Sequence, residues 1–341
     1  VLSTVLGLFS QDLAVDLGTS HVRIHRRRAG LVADEPSVVA VRKNGRGRRD
    51  IIAIGDAALP MLGRTPEDTV AIQPIRAGRV ADFEVAEALL LHLVRQVHGR
   101  NRWMRPRMVV AVPHAASDME VRAVRDSCES AGAREVVQVA RPIAAALGVG
   151  LPVHEPSGML IVDVGGGATE VSVLSLRGIV SHSVVAGGGE GMDEALVHWL
   201  GRDKALLVGR PSAERLKLEI GTAAEAVRAT RWTVAGRCLR RGVPRAETVD
   251  QVEVMEALAP CVDAIARAIR QAIERAPPEI GADIVDQGAI LVGGGARLRG
   301  LDRALRDRTG LPVVLADAPE QAVLRGVGRV LDGDGAAADV C

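Results

Sequence analysis

Two short segments of this sequence set an acid beside small residues in a way that suits phosphate chemistry. They are Leu13-Ala-Val-Asp16-Leu-Gly18-Thr19-Ser20 and Leu160-Ile-Val-Asp163-Val-Gly165-Gly166-Gly167. A tight glycine turn leaves backbone N–H groups pointing into a concavity, and Thr19 and Ser20 add hydroxyl donors, so each segment could hold phosphate oxygens. Asp16 and Asp163 would repel phosphate directly, but carboxylates beside phosphates are the ordinary way to hold a hydrated Mg²⁺. Either segment alone reads as a β-turn with an acid nearby; a turn does not explain the duplication. A third cluster, Gly293-Gly294-Gly295-Ala296, follows an apolar run, and its lack of side chains would let a flat base or an α-phosphate approach the backbone. Glu214 and Lys217, three apart on one helix face, could reach the ribose and adenine of the same nucleotide, with an ordinary surface ion pair as the competing reading.

The elements that must carry these loops follow from the hydrophobic period. Each acid closes an apolar β-type run and is followed by a second, Val22-Arg-Ile-His25 and Glu170-Val-Ser-Val-Leu174, so each half of the chain opens as a hairpin with the acid at its turn. Each half then reaches another buried-strand run, Met108-Val-Val-Ala-Val-Pro113 and Ala289-Ile-Leu-Val-Gly293, leading through small residues into a helix. Helical patterning covers 85–97, 120–130 and 252–274, the last stopped by Pro277-Pro278. A repeat of about half the chain, mixing strands and helices, predicts an α/β protein of two related lobes.

Bulk properties bound the function. At 341 residues the chain is long enough for two cores; 48% of it is apolar and the formal net charge is +1, which excludes disorder and a nucleic-acid-binding charge balance. There is no Tyr, and the aromatic residues are Phe9, Phe83, Trp103, Trp199 and Trp232, so cores must be aliphatic and the stacking platforms of single-strand binders are missing. Cys128, Cys238, Cys261 and Cys341 are scattered without zinc-ligand or disulfide spacing, which fits a reducing cytosol. No apolar run reaches the roughly 18 residues of a membrane span, and no secretory leader is expected. Residues 44–49, rich in Arg and Gly, read as a solvated hairpin tip, and the tail 332–341 as disordered.

Over most of its length, from about Asp12 to about Leu331, the chain resembles the MreB/Mbl family of bacterial actin-like rod-shape-determining proteins. The likeness lies in Asp16-Leu-Gly-Thr19, Asp34-Glu-Pro-Ser-Val-Val-Ala40, Met61-Leu-Gly-Arg-Thr-Pro66, Ala81-Asp-Phe-Glu-Val85, Asp163-Val-Gly-Gly-Gly167, Lys217-Leu-Glu-Ile-Gly221 and Gly293-Gly-Gly-Ala296-Arg-Leu-Arg-Gly-Leu301. The resemblance implies the actin fold, duplicated ribonuclease-H-like lobes with a nucleotide cleft between two domains. It also implies ATP with Mg²⁺, held through water by Asp16 and Asp163, and polymerisation into membrane-attached filaments that guide wall synthesis. Domain I is expected over 1–145 with a small subdomain at 36–72, completed by a C-terminal helix at 315–331. Domain II is expected over 146–314 with a small subdomain at 182–246.

Residue by residue, the family's first phosphate loop matches Asp16 to Thr19, with its usual Ala-Asn replaced by Ser20-His21. The second matches Asp163 to Gly167, but the Thr expected next is Ala168, which removes a hydroxyl near the γ-phosphate or metal. The family's connecting helix usually begins Glu-Pro, where the Glu positions the attacking water; here it reads Arg141-Pro142-Ile-Ala-Ala-Ala146, preceded by Ala140. A guanidinium has donors only and cannot orient water as a carboxylate does, so no catalytic residue is intact and hydrolysis is expected to be slow or absent. Arg141 could instead pair with the γ-phosphate.

The resemblance further implies self-association, a cytoplasmic position at the inner face of the cell membrane, and contact with wall-synthesis and morphogenesis proteins or a paralogous filament. Two membrane anchors suggest themselves: an N-terminal helix with Val1, Leu2, Val5, Leu6, Leu8 and Phe9 on one face, and Trp103-Met104 ringed by cations. The rivals are a sugar or acetate kinase, which needs a general base that the first lobe lacks, a heat-shock-type ATPase, which needs a further domain, and a non-hydrolysing scaffold that modulates a sister filament.

Overall fold

The computed structural model describes residues 12–43, 49–76, 78–98 and 105–333. The N-terminal anchor segment, most of the 44–49 tip, Trp103-Met104 and the tail from 334 lie outside the described residues. The chain divides into two units, Val1–Glu155 with Gln321–Cys341, and Pro156–Glu320. The helix Arg141–Gly148 therefore lies whole within the first unit.

Each unit is built on a five-stranded sheet of the same topology. In the first, Leu13–Leu17, His21–Arg26 and Gly30–Pro36 form an antiparallel meander, and Arg107–Val112 and then Glu135–Ala140 extend it in parallel from the other side of Leu13–Leu17. In the second, Met159–Val164, Ala168–Ser175 and Gly178–Ala186 form the meander, and Ala289–Val292 and Val313–Leu315 extend it in parallel. The duplicated hairpins are thus present, with one correction. Asp16 and Asp163 sit within the strands, paired with Arg23 and Glu170, and the turn begins one or two residues later.

Strand parity explains both the cores and the placing of the acids. Leu13, Val15, Val22, Ile24, Met108 and Val110 are buried on one face, against Leu89, Leu90 and Leu93 of the helix Phe83–His98. Ala14 and Val109, on the opposite face, are also fully buried, so helices cover the sheet on both sides and Asp16 shares the face of Ala14. The second unit repeats this, with Leu160, Val162 and Val164 in a core that is aliphatic except for Trp199 and the adjoining Trp232, and Asp163 on the other face with Ile161. Two of the expected helices carry capping boxes: Ser117 with Glu120 opens Asp118–Ser130, and Asp250 with Glu253 opens Gln251–Glu274. The proline pair stops the latter and also starts another helix, Pro278–Gln287, because a proline in the first turn gives up no needed donor. Smaller three-stranded sheets lie in each unit, Val39–Lys43 with Arg49–Ile54 and Thr69–Ile72, and Arg231–Cys238 with Leu206–Leu207 and Pro244–Asp250.

The C-terminal helix spans Ala322–Asp332 rather than 315–331, since Leu315 closes a strand and Pro319–Gln321 makes a 3-10 turn. It packs on Arg141–Gly148 by glycine contacts: a Cβ on Gly148 would overlap the Ala322 carbonyl, and one on Gly326 would overlap the carbonyl of Ala144. Neither backbone can yield without separating the helices. Gly326→Ala is therefore expected to lower stability by about 1–3 kcal/mol through overpacking, read from urea unfolding. Gly201→Ala, in the helix Gly189–Lys204 with only Leu239 Cδ1 at 4.0 Å, should be neutral or slightly stabilising.

Candidate functional site

The two acid–glycine hairpins close in the same way. Gly18 N–H donates to the His21 carbonyl at 3.0 Å, and Gly165 N–H to the Ala168 carbonyl at 3.0 Å. A Cβ on Gly18 would lie 2.6 Å from the His21 oxygen, so only glycine allows that turn. Inside each closure, the N–H groups of Thr19 and Ser20, and of Gly166 and Gly167, have no protein acceptor among the described residues. Thr19 is buried, and its Oγ1 accepts from Gly78 N–H at 2.9 Å, which ties the first loop down through the group expected to face phosphate. Ser20 anchors the loop with its carbonyl, which accepts from Ser37 N–H, and His21 starts the return strand.

In the second loop the carbonyls are turned away from the hairpin. Gly165 accepts from Gly189 N–H at 2.9 Å, Gly166 from Gly188 and Glu190 at 3.2 and 2.8 Å, and Gly167 from Gly187 at 3.1 Å. These donors open the helix Gly189–Lys204, whose N-cap, Gly188, supplies no side-chain bond, so the glycine loop itself caps the helix. A Cβ on Gly188 would overlap the Gly165 carbonyl. The run Gly187-Gly188-Gly189 was therefore a readable signal that sequence reasoning passed over. Ala168 begins the strand Ala168–Ser175 and offers only a methyl group.

The third cluster joins this assembly. Gly293 has a φ of +85°, its N–H donates to the Pro319 carbonyl, and a Cβ there would overlap the Asp163 carboxylate and the Val164 carbonyl. A Cβ on Gly295 would meet Val164 Cγ1 at 2.6 Å. Two of the three glycines are thus demanded by close approach to Asp163 and Val164, and Gly294 is exposed; Ala296 is buried in the short turn Gly294–Arg297.

Glu214 and Lys217 do lie on one helix, Arg210–Ile220, but the structure separates their roles. Glu214 is exposed, whereas Lys217 Nζ lies 2.7 Å from Asp193 Oδ1 and donates to the Gly189 carbonyl at 2.8 Å. The surface ion pair weighed against a nucleotide contact is replaced by a buried one to Asp193, a residue with no sequence signal beyond its place one turn into a helix. Burial pushes the Asp193 carboxyl up to about 6, with Lys217 acting in the opposite sense.

Arg141 is the largest departure from expectation. Its Nη1 donates to Asp16 Oδ1 at 2.7 Å, with the Asp16 side chain 1% exposed, so the guanidinium is engaged by the carboxylate expected to support Mg²⁺. Register explains the reach. Asp16 is level with Ala111, and Val112 with Ala140, so Arg141 starts its helix two strand spacings away, about 10 Å, and its long side chain crosses Arg107–Val112. Removing Arg141 alone would leave a buried charge, which costs about 3–5 kcal/mol. Asp16 so engaged does not fit a support for a hydrated divalent ion, and Asp163 is buried beside Gly293.

Two units of one duplicated topology, each presenting an acid and a glycine hairpin at the end of its central strand, define an actin-like protein. The model of the MreB/Mbl protein family matches residues 10–337, and the chain belongs to that family. It is 45% identical to the cell shape-determining protein MreB of Escherichia coli over 97% of this chain and 96% of that one, and 39% identical to the cell shape-determining protein Mbl of Bacillus subtilis over 95% and 97%. Among solved structures it is similar to MreB5 of Spiroplasma citri bound to AMPPNP, with a TM-score of 0.88 at 28% identity over 93% of this chain and 95% of that one. A MamK double helical filament shares the fold, with a TM-score of 0.76 at 24% identity, covering 94% and 99%. No helix among the described residues is long and apolar enough to cross a membrane.

The raised carboxyl of Asp193 has a pH consequence. The folded chain binds its proton more tightly than the unfolded chain, so stability from this group rises as pH falls from about 6 towards 4 and is lost as pH rises through 6. Urea midpoints of wild type and Asp193→Asn, compared between pH 4 and 8, should shift in favour of wild type at the acid end, with a flat difference above about pH 7.

Proposed function

We infer that this chain is a nucleotide-binding actin homologue that assembles with copies of itself into filaments, holds ATP, and hydrolyses it slowly or not at all. The observation that carries the reading is the pair of matched hairpin closures, each leaving two backbone N–H groups without a protein acceptor among the described residues, beside a buried acid. Backbone N–H groups so arranged suit phosphate oxygens in either unit. The named relatives support the rest, since an MreB5 has been solved with ADP and with AMPPNP and a MamK as a filament.

Weak hydrolysis follows from three residues. Arg141 can only donate, its preceding residue Ala140 has no polar side chain, and Ala168 offers no hydroxyl. On this reading the protein acts as a long-lived scaffold of cell shape and wall synthesis at the inner membrane surface, with Trp103 and Met104 or the N-terminal segment as its lipid contact. The scaffold would work alone or beside a paralogous filament.

Titration of the full chain with fluorescently labelled ATP should show saturable binding, and sedimentation should show polymer. Steady-state phosphate release should fall about two to four orders of magnitude below that of a family member with Glu before the Pro. Arg141→Glu with Ala168→Thr should raise it, and either change alone should do little, because groups acting as one unit are not additive. Absence of ATP binding would overturn the nucleotide reading; turnover equal to that of an intact relative would show that another residue prepares the water.

A further inference from the structure

Asp16 is a carboxylate at the end of a central strand, buried on the face of Ala14 and next to the hairpin whose Thr19 and Ser20 N–H groups lack a protein acceptor among the described residues. Alone, it would carry a full negative charge into a region that also has to receive phosphate, and a divalent cation between them would be the usual remedy. The chain already supplies a cation there. Arg141 is charged at every accessible pH, its guanidinium is 2.7 Å from Asp16 Oδ1, and it is itself mostly shielded from water. The pair is neutral overall, so the repulsion between Asp16 and a phosphate is cancelled from within the fold. A divalent ion brought to Asp16 would have to displace the guanidinium or sit against it. Among the described residues no cluster of three His, Cys, Asp or Glu side chains offers such an ion another cage.

We propose that the Arg141 guanidinium is the resident cation of the Asp16 carboxylate, and that this chain therefore holds nucleotide with little dependence on a divalent ion. The proposal rests on the nucleotide binding inferred above and assigns Arg141 a positioning and charge-balancing role, separate from the loss of a water-orienting carboxylate. Two features make the arrangement a built one. Arg141 is the first residue of a helix with Pro142 in its first turn, and that helix is fixed at its other end, where Gly148 meets Ala322. The guanidinium is thus delivered from a rigid element to a carboxylate on a central strand.

The test is ATP affinity of the full chain, measured by displacement of a fluorescent ATP analogue, with excess Mg²⁺ and with excess EDTA. Wild type should change by less than about threefold between the two conditions, and Arg141→Gln, which leaves Asp16 without its counter-ion, should lose about tenfold or more in EDTA. The double variant Arg141→Gln with Asp16→Asn carries no unpaired charge and should return to the small dependence of wild type. Thermal unfolding without nucleotide gives a second readout, in which Mg²⁺ should raise the midpoint of Arg141→Gln and leave that of wild type unchanged. Wild-type binding that weakens tenfold or more in EDTA would overturn this proposal and leave the nucleotide reading intact, and it decides the matter even if Arg141→Gln does not fold. No binding in either condition would overturn both.

Discussion

The charge of Asp16, buried at the end of a central strand, sets the terms for the first unit. A carboxylate with 1% of its side chain exposed requires a partner, and the partner is delivered from a helix that starts two strands away. For the guanidinium to arrive, the helix Arg141–Gly148 has to lie close over the sheet, and for that it has to be held by a neighbour packed on the same sheet. The C-terminal helix does this through contacts so close that Gly148 and Gly326 admit no side chain. The ion pair and the glycine contacts together link the strand Leu13–Leu17, the helix Arg141–Gly148 and the helix Ala322–Asp332.

The second unit has the same sheet order, and its acid is flanked by glycine turns. Asp163 is enclosed by the Gly293 turn, and the glycine loop that follows it spends its carbonyls on the start of the helix Gly189–Lys204. Lys217 then ties the first turn of that helix to Arg210–Ile220, through Asp193 and the Gly189 carbonyl. The two units share the sheet order and the hairpin closure.

Much of this was legible in the sequence, because the signals were local or periodic. Apolar runs ending in Asp16 and Asp163 fixed two hairpins, the 108–113 and 289–293 runs gave their parallel neighbours, and the motif likeness gave the family. What escaped were contacts set by packing across long separations. Asp16 and Arg141 are 125 residues apart, and Lys217 and Asp193 belong to different helices. Spacing showed only that Lys217 shares a face with Glu214; which neighbour it would meet depended on how two helices cross. The glycines at 187–189 signal a backbone approach, and those at 293 and 295 have no room for a Cβ beside Asp163 and Val164.

The pairing of Arg141–Gly148 with Ala322–Asp332 also bears on the order in which the protein can form. The second unit is continuous, Pro156–Glu320, and all of its strands and helices have been made before the final helix appears. The first unit is interrupted by the whole of it. During synthesis the face of the first sheet that carries Ala14 and Val109 stays only partly covered until the helix Ala322–Asp332 emerges, whereas the second unit can close earlier. The half of the molecule that is translated first is therefore the half that is completed last, with an apolar sheet face and a buried acid waiting on a segment more than 170 residues downstream of Arg141.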